Sequence, residues 1–361
     1  MNIKISRVQL VFLLVWGILG TGTITIPFAI ARFTVRDGWI VALMFMVTVV
    51  FAAGIVWLFN RSFPEGSLFD AFDKAFGRYV GRAASLFGVL WAYVFMCMLV
   101  RELNLFVEVT ILPKTALYII NFSIAVAFTY AVYSGIEVIG RLAEVFTIVI
   151  LAAYIVLFFL PLRVADVHLL LPLVSSGWKP ILRAAINPDI SFALELIAAL
   201  QFLHLVKDRN KIAKDVLIAG TIITAILLMI DVMVIIVLGP ASTYLAFPGL
   251  EVVRSIRYGQ FIERLDTILV MIVLITMFLK FSLFHFILCD FLRYSFNLSS
   301  AKLIAIPAGG AVWAGSLLLF KNGADLQKFM LFVTPVWFTV VLIGVPGTAM
   351  AAWMIRKRFI S

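Results

Sequence analysis

The stretch VQLVFLLVWGILGTGTITIPFAIAR, from Val8 to Arg32, decides how the whole chain is read. It is long and apolar enough to cross a bilayer as one helix. Its middle nevertheless holds Gly17, Gly20 and Gly22, interleaved with Thr21 and Thr23. Glycine weakens a helix, and threonine hydroxyls offer the backbone other partners. Two readings follow. In one the helix breaks at mid-depth, and the freed backbone groups, which lipid cannot satisfy, face protein, a cavity or a ligand. Broken helices of that kind carry the midplane sites of secondary transporters. In the other, the small residues let a second helix approach closely. The broken-helix reading is the one carried forward.

Composition extends this to the rest of the chain. Its 361 residues are 64% hydrophobic and 13% charged, with mean hydropathy +1.13, which is a polytopic, all-α membrane protein. That length holds about ten spans of roughly 20 residues, so 1–361 reads as a single transmembrane domain. The net charge of +10 does not call for nucleic acid, because cationic loops set topology and meet anionic membrane lipid. Cys97 and Cys289 both lie in apolar runs, so no disulfide framework is implied. The first apolar run is too long for a cleavable signal peptide. GILGTG follows no strand and is no dinucleotide fingerprint. His168, His204 and His285 have no metal-ligand spacing, and no nucleophile–base pair is readable. No cofactor, metal or enzyme activity is therefore expected.

The spans expected are 8–32, 38–60, 83–111, 115–133, 137–160, 180–206, 212–238, 262–292, 302–320 and 329–355. Between spans 2 and 3, Phe69, Phe72, Phe76 and Tyr79 recur at three- and four-residue steps, which predicts an amphipathic helix lying at the membrane interface. A short helix is expected near 250–258. Span 6 is interrupted at INPDIS (186–191), since Pro188 disfavours helical geometry at Asn187. Interruptions in spans 1 and 6, five spans apart, point to an inverted five-plus-five repeat with a site between its halves. The first repeat covers about 8–160 and the second about 178–320, with spans 9 and 10 reaching 355. Of the 29 Lys and Arg, 16 fall on the side of the N-terminus and 11 on the other, so both termini are expected to be cytoplasmic.

The ligand is expected between the two breaks. Gly17, Gly20 and Gly22 would leave room for a charged end against backbone, and Thr21 and Thr23 would add hydroxyls. A side chain at Gly20 should then block the ligand and leave the fold intact. On span 6, Asn187, Asp189 and Glu195 flank or follow the interruption. A carboxylate there is either functional or satisfied by a freed N–H. Phe192 and Leu196, one turn apart, could cover the ligand's apolar part. Val94, Cys97 and Met98 on span 3 either line the pocket or are ordinary packing. Thr276 on span 8 could reach from the opposite wall. Arg101 and Glu102, about 100° apart on span 3, do not pair well with each other; toward the outer third they are either solvated or, the favoured reading, outer-vestibule charges that pair with other helices. Glu137–Arg141 and Arg141–Glu144 are spaced for helical salt bridges.

The first span with Ile26-Pro27 resembles the amino acid–polyamine–organocation superfamily. Further stretches are similar to the spore germination permease family, the B subunits of germinant receptors. They are Leu112-Pro113-Lys114-Thr115, Gly135 to Arg141, Leu171-Pro172, Gly177 to Leu182, Phe192 to Glu195, Phe247-Pro248 and Phe261 to Asp266. Lys114 departs from a pattern that often has Thr-Pro there. The resemblance covers essentially the whole chain. It implies a leucine-transporter-like fold of ten spans and recognition of a small nutrient, such as an amino acid. It also implies A-type and C-type receptor subunits as partners and the inner membrane of the spore as location. That fold often places a sodium ion between spans 1 and 8. Lys280 could stand in for such a cation, or it could snorkel to the headgroups. Pattern alone favours an ion- or proton-coupled amino acid permease over a nutrient-sensing subunit or a structural anchor; the resemblance favours the sensor.

Overall fold

A computed structural model describes residues 5–174, 177–256 and 265–360. Eight of its helices are long and apolar enough to cross a membrane. Span 1 is Arg7–Ala31, span 2 Gly38–Ser62, span 3 Arg78–Thr110, span 4 Leu117–Ser134 and span 5 Ile136–Phe159. Span 7 is Ile212–Leu238, span 8 Leu265–Ser295 and span 10 begins at Gly323. Span 9 is the shorter apolar helix Lys302–Leu318, and span 6 is a composite of three helical segments. The expected start of span 8 and the end of the helix near 250–258 lie outside the described residues. The helix itself runs Pro248–Arg254.

Span 1 does not break. It is one α-helix over 25 residues, held at its start by a Ser6–Gln9 capping box. The close-approach reading of its glycines is the one realised. A Cβ on Gly20 would lie 2.8 Å from Lys280 Cβ and 2.9 Å from the Thr276 carbonyl oxygen, and one on Gly17 would lie 3.1 Å from Leu283. Spans 1 and 8 therefore touch through bare backbone. The Thr23 hydroxyl donates back to the Leu19 carbonyl at 3.2 Å, so it decorates the helix without opening it.

The interruptions are in spans 6 and 10. Span 6 begins as an α-helix, Trp178–Ala185, widens to a π-helix over Ile186–Phe192 and tightens to a 3₁₀-helix over Ala193–Phe202. It changes pitch where a gap was expected. Pro188 lacks an N–H and its ring crowds the carbonyl four residues back, which a wider turn accommodates. Span 10 does the same twice, with π-helical segments Phe329–Val333 and Thr339–Gly344. Each holds the carbonyl four residues before a proline, Leu331 before Pro335 and Leu342 before Pro346.

The helix between spans 2 and 3 is Leu68–Phe76, but its apolar face meets protein, not lipid. Phe69 stacks on Tyr294 of span 8 at 4.5 Å, and Phe72 is buried. Arg356 of span 10 donates to the Lys74 carbonyl at 3.0 Å. On this side the chain is stitched shut. Ile5 pairs in parallel with Val206, and Arg7 holds the buried Asp215 through two nitrogens, the closer at 2.6 Å. Arg209 donates to Asn60 and to the carbonyls of Phe63 and Gly66. The helical salt bridges expected on span 5 are absent among the described ion pairs; Glu144 accepts from Gln9 at 2.9 Å.

Candidate functional site

Half-way along span 1, three elements converge on one ammonium group. Lys280 is fully buried, which excludes snorkelling. Its Nζ lies 3.0 Å from Glu195 Oε2 and donates to Glu195 Oε1 at 3.3 Å and to Thr21 Oγ1 at 3.0 Å. The rings of Phe95, Phe192 and Phe284 surround it at 5.2–5.8 Å, close enough for cation–π attraction. Glu195 is delivered by the first 3₁₀ turn after the π-helical segment, and Lys280 by the face of span 8 that Gly20 admits. The pair thus exists because span 1 is thin and span 6 changes pitch.

Beside the pair, on the Glu195 side, lies a small cavity of about 10 Å³, room for one water-sized occupant, lined by Thr21, Met98, Asn187, Phe192, Glu195 and Thr334 among others. The π-helical segments of spans 6 and 10 are sewn together at its edge. Asn187 Nδ2 donates to the Met330 carbonyl at 2.6 Å, and the Ser191 and Thr334 hydroxyls lie 2.9 Å apart. Met330 also lines a second, larger cavity of about 190 Å³, on the side opposite the termini. Ile24, Thr25, Phe28, Glu102 and Phe247 share that wall. The two cavities are neighbours with Met330 between them.

The expected site residues distribute unevenly. Thr21, Met98, Asn187, Phe192 and Glu195 come together at the small cavity. Gly17 and Gly20 are covered by span 8, and the three atoms nearest a Cβ on Gly22 belong to Ile18 and Ile26 of its own helix. Thr23 accepts a hydrogen bond from the Tyr154 hydroxyl at 3.3 Å, and Thr276 donates to the Val273 carbonyl. Cys97 faces span 9: a Cβ on Gly315 would lie 2.6 Å from its sulfur. Val94 is half-buried, and Leu196 and Asp189 are buried; none of the three lines either cavity. The Arg101–Glu102 pair is not solvated, with exposures of 7% and 5%. Span 3 is covered there on both faces. Arg101 bonds Asn104 at 3.1 Å, and Glu102 Oε1 accepts from the Thr25 hydroxyl. Sequence reasoning missed Thr25, Phe95, Met330 and Thr334. The prolines of span 10 were the available signal for the last two.

The spore germination protein family matches residues 4–321. The chain belongs to that family. Among its relatives, spore germination protein KB of Bacillus subtilis (strain 168) is 24% identical over 343 residues, 92% of this chain and 90% of that protein. Spore germination protein YndE of the same organism is 23% identical over 281 residues, 77% of each chain. Spore germination protein XB of Bacillus anthracis is 23% identical over 274 residues, 75% of this chain and 76% of that one. The fold is also that of solved transporters. Mhp1, a nucleobase-cation-symport-1 family transporter in a closed conformation with bromovinylhydantoin bound, matches with TM-score 0.65 and 14% identity, covering 99% of this chain and 80% of Mhp1. MhsT in complex with L-phenylalanine matches with TM-score 0.65 and 15% identity, covering 98% of both chains. This spore germination family member therefore has a leucine-transporter-like, ten-span fold.

Proposed function

We propose that the chain is the nutrient-sensing membrane subunit of a germination receptor. A small nutrient, an amino acid, enters from the side opposite the termini and settles where spans 1, 3, 6, 8 and 10 meet, parting spans 6 and 10 to widen a cavity that otherwise has room for one water-sized occupant. The resulting shift of spans 6 and 10 passes to A-type and C-type subunits in the spore inner membrane. The observation that carries this reading is the buried Lys280–Glu195 pair on Thr21, beside two helices whose pitch changes. Buried ion pairs are costly and add little net stability, so such a pair in a membrane core is a functional hypothesis by default. Lys280 supplies the fixed positive charge that a bound cation would otherwise bring between spans 1 and 8. The ligand-bound transporters of like fold support the use of this region for small molecules, and the family name supports germination. Thr21→Val keeps shape but removes the hydroxyl that Lys280 bonds. Spores with this variant should need about tenfold more nutrient for half-maximal germination, the scale of one lost bond to a charged group. An unchanged dose–response would place the sensing site elsewhere. The permease reading rests on the same fold likeness, and saturable uptake of the nutrient by the purified chain in liposomes would favour it.

The 16-to-11 distribution of Lys and Arg supports cytoplasmic termini. A cysteine at Ser67, beside the Leu68–Phe76 helix, should then resist an impermeant maleimide in intact cells and react once the membrane is opened. Reaction in intact cells would invert the topology.

A further inference from the structure

Glu102 is the one charged group among the residues lining the larger cavity. The residue is 5% exposed, and its two oxygens are treated differently. The Thr25 hydroxyl donates to Oε1 and fixes the carboxylate's orientation. Oε2 is buried and has no hydrogen-bond partner. The nearest basic residue in the chain, Arg101, does not line this cavity and bonds Asn104. Lys280 is committed to Glu195 and Thr21. A buried carboxylate with a free lone pair is costly unless something cationic or a donor meets it. Apart from Thr25 and the neutral amide of Gln327, the wall is apolar, with Ile24 and Phe28 of span 1, Leu105 of span 3, Phe247, Leu326 and Met330 prominent in it. The cavity holds about 190 Å³, against about 10 Å³ in the small cavity beside Glu195.

We propose that this cavity is a second binding site, an outer subsite that holds a primary ammonium group on Glu102 and packs a compact apolar body against Phe28, Phe247 and Met330. It rests on the reading above in taking this face as the entry side, and it adds a separate binding step before the central junction. No cationic side chain lines the cavity to hold a carboxylate, so the feature recognised is the ammonium. An amino acid's carboxylate points toward the mouth, and a simple alkylamine suffices for binding. Glu102 then takes the ligand's ammonium and Glu195 keeps Lys280, with the uncharged Met330 between the two cavities.

The probe is 3-methylbutylammonium, with 3-methylbutanol as its neutral counterpart, and the readout is the thermal midpoint of the purified full chain in detergent. The amine should raise the midpoint saturably and the alcohol should not. Glu102→Gln keeps the shape and the Thr25 contact, and should weaken the amine's apparent affinity at least about tenfold. Val109→Trp obstructs the mouth from a position that is 63% exposed and should weaken it similarly without touching the charge. Lys302→Ala, at a position that lines neither cavity, should leave the amine's affinity within about twofold. Failure of the amine to bind, equal binding of the alcohol, or unchanged amine affinity in Glu102→Gln would each overturn the outer subsite. The nutrient dose–response of Thr21→Val spores reads the sensing role separately, so the two can fail independently.

Discussion

Replacing Lys280 by alanine should abolish the nutrient response and destabilise the protein together. The substitution leaves Glu195, 3% exposed, without its charge partner in a low-dielectric core. Breaking a buried pair from one side costs about 3–5 kcal/mol. Loss of response alone would not separate sensing from folding, so the decisive variant is the double one. Lys280→Met with Glu195→Leu replaces both charges by apolar side chains of similar volume, which is commonly neutral or stabilising. The double variant should recover the thermal midpoint of the parent and still fail to respond. Recovery of both would make the pair structural only. Lys302 lies outside the membrane core, and Lys302→Ala should change neither. Because the positive charge is built in, replacing sodium by a large organic cation should not alter the parent's response; a sodium requirement would contradict the assignment.

Gly20→Leu carries the second large effect, and the structure reverses what the sequence led us to expect of it. A side chain at Gly20 does not fill a ligand's space. Its Cβ alone would stand 2.8 Å from Lys280 Cβ and 2.9 Å from the Thr276 carbonyl, backbone that cannot swing aside. Spans 1 and 8 must part, at a cost of about 3 kcal/mol or more, the upper range of overpacking. Gly20→Leu should therefore give poor yield or a strongly lowered thermal midpoint. Gly54→Leu in span 2 meets nothing within 4 Å and should match the parent. A stable, monodisperse Gly20→Leu protein would mean that spans 1 and 8 do not meet as described.

The membrane-spanning architecture was legible in apolar run lengths, since a bilayer sets one length for every span. The interruption of span 6 was legible in Asn187-Pro188 because proline acts locally. The same signal stood at Pro335 and Pro346, where both π-helical segments of span 10 precede a proline. The glycines of span 1 were ambiguous in principle. Glycine permits either a break or a close approach, and the choice belongs to span 8, more than two hundred residues away in the chain. Glu195 and Lys280 were each visible as costly intramembrane charges, but their pairing across 85 residues was not. For Glu102 both solvation and contact with other helices were open; the contact is realised, with the Thr25 hydroxyl of span 1 as the partner, a tertiary fact that the sequence does not carry.

The central claim is that the junction of spans 1, 3, 6, 8 and 10 chooses the nutrient. Met98 lines the small cavity beside Phe192 and Glu195, so its volume should set which side chains fit. The most direct measurement is germination dose–response across a series of apolar L-amino acids, from alanine to phenylalanine, for spores carrying the parent and Met98→Ala. One methylene in a fitted apolar pocket is worth roughly tenfold or more in discrimination. Met98→Ala should shift the preference toward larger side chains by at least about that factor, changing the rank order. A uniform shift of all responses, with the rank order intact, would contradict the claim.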